Sequence, residues 1–84
     1  MSDTEQTQAL IVRMVSERGP DKTLCPSEVA RALAGTAGDW RQRMDEVHQA
    51  VLALHAIGVI RVSQKGAPSD PRWLKGPYRI GMNA

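Results

Sequence analysis

The sequence predicts an α+β fold in which three helices are followed by an antiparallel strand pair. Two observations predict it. Apolar residues recur with a helical period up to residue 58, and after Gly58 the period changes to two. A third observation orders the helices. The short polar stretch Gly35-Thr36-Ala37-Gly38 joins a short helical pattern to a long one, as the turn of a helix-turn-helix does.

The elements follow in order. Residues 1–3 are expected to be loose. From Thr4 to Arg18, Thr7, Leu10, Ile11, Met14 and Val15 fall on one face of a helix. Gly19-Pro20-Asp21 stops it, because proline disfavours helical backbone at the residue before it. A stub strand is expected near 23–25. A second helix, 26–34, starts with Pro26 at the first helical position and Glu28 at the positive helix end. Its inner face is Val29, Ala30, Leu33 and Ala34, and Arg31 points away. Asp39 caps the long helix 40–57, with Gln42 placed to reach back in a capping box. Trp40, Met44, Val47, Val51 and Leu54 form its apolar stripe, and Gly58 ends it in a left-handed cap.

Strand 59–63 directs Ile60 and Val62 inward, and strand 78–82 does the same with Tyr78, Ile80 and Met82. The joining stretch 64–77 is long for a hairpin and rich in Gly, Pro and Lys/Arg. It reads as a wing, and the whole as a single winged helix-turn-helix domain.

Net charge is only +2 but unevenly spread. Residues 58–84 hold five Lys/Arg against one Asp, and residues 1–57 hold six against eight Asp/Glu. A basic C-terminal part points to a polyanion, or is simply a solvated basic hairpin. With no Phe, one Tyr and two Trp, aliphatic side chains must supply the core.

The single cysteine rules out an internal disulfide, and with two His it makes a zinc site within the chain improbable. No metal, cofactor or catalytic constellation is expected, and the reading is that of a non-enzyme. His48 and His55 are two helical turns apart, too far to chelate one ion easily. Cys25 opens a helix, where thiolates are stabilised, so a redox role stands beside the plainer one of a cap or small buried hydrophobe. A reducing cytoplasm is the expected compartment. No apolar run is long enough for a membrane span, and no membrane partner is expected.

Three stretches carry a family resemblance. They are Arg18-Gly19-Pro20 through Thr23 with the run Cys25–Arg31; Asp39-Trp40-Arg41 with Met44; and Ile60-Arg61-Val62 with Gln64, Gly66, Asp70-Pro71, Gly76-Pro77 and Arg79. Across residues 9–82 the chain resembles a family of small bacterial domains catalogued as domain of unknown function 3253. The resemblance implies a winged-helix fold. Through fold analogy alone it also implies nucleic-acid or regulatory binding. It carries no established activity or binding residues.

The main functional expectation is a DNA-binding, transcription-regulatory module that meets double-stranded DNA. In such folds the second helix of the pair enters the major groove. Arg41, Gln42 and Gln49 would read bases, since Arg matches guanine and Gln matches adenine. Arg43, Lys65, Arg72, Lys75 and Arg79 would hold the backbone. Asp45 and Glu46 oppose this, because both would approach phosphates. The alternative is a protein-interaction module, a homodimer or docking domain, contacting through Leu52, His55 and Trp73. Trp73 itself is expected as a lid over the core, with an exposed contact surface as the other option.

Overall fold

A computed structural model of the chain describes residues 3–36, 38–74 and 76–83. Helix α1 spans Asp3–Arg18, strand β1 Thr23–Leu24 and helix α2 Pro26–Ala34. A short 3-10 helix, Trp40–Arg43, leads into helix α3, Met44–Ala56. Strands β2, Ile60–Gln64, β3, Ala67–Pro68, and β4, Arg79–Met82, complete the fold. The sheet is antiparallel in the order β1-β4-β2-β3. Three helices packed on this sheet form the expected α+β, winged-helix arrangement.

Helix α1 buries Thr7, Ile11 and Val15, the stripe its spacing implies. It starts at Asp3, a residue expected in a loose terminus; the other residues of that expectation, 1 and 2, lie outside the described residues. Glu28 reaches back to accept the Cys25 N–H at 2.7 Å, which fixes the start of α2. Val29 and Ala30 of α2 are buried, and so are Val47, Ala50, Val51 and Leu54 of α3. Small residues at Ala30 and Ala50 let the helices approach closely.

Leu24, Ile80 and Val62 lie in register across β1, β4 and β2 and are all buried, so one face of the sheet closes the core. Gly58 adopts φ +77 and passes the chain from α3 to β2, with the Val59 N–H reaching the Leu54 carbonyl at 3.0 Å.

Two elements differ from the expectation. The long helix 40–57 divides at Arg43 into the 3-10 segment and α3. The capping box from Gln42 does not form. Instead the Asp39 carboxylate accepts the Arg41 N–H at 3.0 Å and its carbonyl accepts the Gln42 N–H at 3.2 Å. That tighter winding sets Trp40 down beside the core while Arg41 and Gln42 face solvent.

The stretch 64–77 is not an open loop either. Lys65 and Gly66 form a two-residue turn with φ of +54 and +83, and β3 returns along β2 with Ser63 opposite Pro68. Only then does the chain travel over residues 69–78 to β4.

Candidate nucleic-acid interface

The structure brings Arg41, Gln42 and Gln49 onto the exposed surface of the 3-10 segment and α3. Asp45 is exposed beside them. Glu46 is not. One of its carboxylate oxygens accepts the Thr7 hydroxyl at 3.0 Å, and the other accepts Arg43 Nε at 2.6 Å. The Arg43 hydrogen bond holds the Glu46 carboxyl below its ordinary value of 4.5 against the opposing pull of burial, and Thr7 adds to it. Glu46 thus ties α3 to α1. The same pair draws the Arg43 guanidinium toward Glu46.

Trp40 supplies a feature that sequence reading missed. The guanidinium carbons of Arg31 and Arg41 lie 4.8 Å and 4.7 Å from its ring centre. The indole's negative face attracts both cations, each contact worth about 0.5–1 kcal/mol at an exposed site. Arg31 sits in the last turn of α2, nine residues before Trp40, and no helical or strand period links positions across that turn. The result is a pair of positive charges at the junction of the two helices.

Lys65 occupies the tip of the β2–β3 turn with its side chain exposed. Arg72 and Arg79 each make hydrogen bonds within the fold. Arg72 grips Asp70 through Nε at 3.1 Å to each carboxylate oxygen and Nη2 at 2.7 Å, and its guanidinium holds the Asp70 carboxyl down at about 2. Arg79 donates to the Thr23 hydroxyl and carbonyl, both at 3.1 Å, and so pins β1 to β4. Lys75 lies outside the described residues.

Trp73 is 78% exposed, which corrects the expectation of a lid over the core. Asp70 accepts the Arg72 N–H with its side chain and the Trp73 N–H with its carbonyl. That turn directs Pro71 inward, where it is fully buried, and Trp73 outward.

His48 and Cys25 have partners within the fold. His48 Nδ1 and the Tyr78 hydroxyl share a hydrogen bond at 3.0 Å, with the rings edge to face at 6.0 Å. The Ser27 hydroxyl donates to Cys25 Sγ at 3.1 Å, inside the cap of α2. Burial pushes the Tyr78 phenol up from 10.0 to about 12, and nearby Cys25 adds to the shift. The fold therefore favours the neutral phenol. Its contribution to stability is complete below pH 10 and is lost as pH rises from 10 toward 12. Urea midpoints measured between these limits should fall in the parent and less so in a Tyr78→Phe protein. At pH 7 the variant should be weaker by about 1 kcal/mol for its missing hydrogen bond. Parallel pH profiles for the two proteins would refute this.

Among the described residues no helix is long and apolar enough to cross a membrane. Residues 4–83 match a protein-family model described as "Protein of unknown function (DUF3253)". A comparison with curated proteins finds no match.

Proposed function

The chain belongs to the DUF3253 family, whose description assigns no function, and we propose from the chain's own surface that it is a module binding double-stranded DNA. Arg41, Gln42 and Gln49 read the major groove in this proposal, Arg31 flanks them on the backbone, and Lys65 meets a phosphate from the hairpin tip. The observation that carries the reading is Lys65. It is the one non-glycine residue with positive φ among the described residues, at +54. Left-handed backbone costs an ordinary side chain about 1–2 kcal/mol, and Asn is the residue that such a turn prefers ahead of Gly. A lysine held in that conformation, exposed at a tip, suggests that its charge is retained for a partner. No step of this reading requires catalysis.

Fluorescence anisotropy on random-sequence duplex DNA tests it. Binding that weakens steeply between 50 and 200 mM salt is the expected result. No binding at the lower salt would dismiss the proposal. A Lys65→Asn protein separates the two roles of this position. Its urea midpoint should rise, by about 0.5–1 kcal/mol in stability, because Asn tolerates the turn. Its DNA affinity should fall because the charge is gone. A stabilised variant that binds DNA as tightly as the parent would remove Lys65 from the interface.

A second reading rests on the two large apolar side chains left in solvent, Trp73 at 78% and Ile57 at 70% exposure. Leu52 and His55 line a cleft of about 320 Å³ with Ala56 and Arg72, the neighbour of Trp73. This surface suits self-association through Leu52, His55 and Trp73. Sedimentation that shows a monomer over a wide concentration range would eliminate it.

A further inference from the structure

The sheet has a second face, and its chemistry is unlike that of a solvated strand pair. The register sets Thr23, Gly81 and Arg61 in one row across β1, β4 and β2, and Arg79, Ser63 and Pro68 in the next. Arg61 and Arg79 are therefore diagonal neighbours on adjacent strands, on the face turned away from the core. Like charges so placed repel unless something compensates them. Among the described residues no carboxylate forms a salt bridge with either one.

Both guanidiniums are nevertheless fixed. Arg61 donates from Nε to the Met82 carbonyl at 3.1 Å and from Nη2 to the Pro20 carbonyl at 3.2 Å. It lies across Gly81, where a Cβ would meet Arg61 Cζ and the Lys22 carbonyl oxygen, each at 3.1 Å. The bare glycine is what lets the guanidinium lie down on the sheet. Arg79 is held by Thr23 in the same manner. Each guanidinium uses two of its five N–H groups in these bonds, which leaves three. Between them opens a cleft of about 360 Å³, whose polar lining includes the hydroxyl-bearing residues Thr23 and Ser63. Among the described residues no acidic one lines it.

We infer that this outer cleft of the sheet binds a phosphoryl oxyanion, the group carried by a phosphodiester backbone or by a free phosphomonoester. Two oriented guanidiniums with N–H groups to spare match its several oxygens, and the hydroxyls supply further donors. Carbonyl anchors orient the cations without neutralising them. The desolvation cost is small because the cleft is open. The inference does not rest on the DNA reading, since the cleft lies on a different face from the exposed surface of α3.

The test uses the full chain with 15N-labelled arginine and follows the Arg Nε–H signals by NMR. Inorganic phosphate is titrated at constant ionic strength against chloride. The expected result is a saturable shift of the Arg61 and Arg79 signals, with that of exposed Arg13 unmoved. Sulfate should compete. An Arg79→Gln protein should bind phosphate about tenfold more weakly. Shifts that track chloride equally, or that appear equally at Arg13, would overturn the inference. That comparison is made on the parent, so it stands whether or not the variant folds. A second arm adds short duplex DNA to the phosphate-loaded protein. Displacement of phosphate from Arg61 and Arg79 identifies the backbone as the source of the group. Undisturbed phosphate binding identifies a small phosphorylated molecule.

Discussion

A protein carrying Arg31→Gln and Lys65→Gln should bind duplex DNA about a hundredfold more weakly than the parent at 50 mM salt, with the salt slope reduced by about two. Each phosphate contact releases counterions and adds about 0.9 to the slope, which amounts to roughly tenfold in affinity per contact at that salt. Two contacts removed together give the product. The substitutions are chosen because neither side chain supports the core. Arg31 is exposed and interacts chiefly with the Trp40 ring, and Lys65 is exposed at the turn. The variant should therefore keep its urea midpoint to within about 1 kcal/mol. Anisotropy titrations at several salt concentrations measure affinity and slope together. An unchanged slope in a folded variant would remove both residues from the interface and favour the self-association reading.

Replacing Ile80 by Ala should unfold a large share of the protein at 25 °C. Ile80 is fully buried in β4, which lies between β1 and β2 and so holds the sheet together. Truncating a buried Ile to Ala costs about 2–5 kcal/mol, for lost burial and for the cavity left behind. A domain this small has only several kcal/mol in total. The milder Ile80→Val should cost about 0.5–1.5 kcal/mol and stay folded. Circular dichroism against urea measures both. A loss below about 1 kcal/mol in Ile80→Ala would mean that the sheet does not depend on this residue.

Much of the fold was legible because burial in this chain follows local periods. The stripe Thr7, Ile11 and Val15 repeats at helical spacing, and all three residues are buried. Ile60, Val62 and Ile80 alternate, and all three close the core. Lys65-Gly66 was harder to read as a turn, because a lysine in left-handed backbone contradicts the usual preference. The strand after it is two residues long and contains a proline, too little for a pattern.

The candidate interface was legible only in part. Exposure of Arg41, Gln42 and Gln49 follows from helical geometry, since the opposite side is apolar. The fates of Arg43, Arg72 and Arg79 do not. A guanidinium has long reach and will pair with whatever acceptor the fold brings near. Glu46 for Arg43 and Asp70 for Arg72 are close in sequence, but such pairs compete with solvent and do not announce themselves.

The sequence by itself determined the order of the three helices and of strands β1, β2 and β4, most of their core-facing residues, and the basic excess after residue 58. Those are properties of period and composition, carried by each segment alone. Only the tertiary structure decided which charges stay available. Glu46 turns inward because Thr7, 39 positions away, offers it a hydroxyl. Arg31 joins Arg41 because a tight turn brings one indole beside both. Arg61 and Arg79 come to face one cleft because strand register, set by the pairing of β2 with β4, places them on the same side of the sheet.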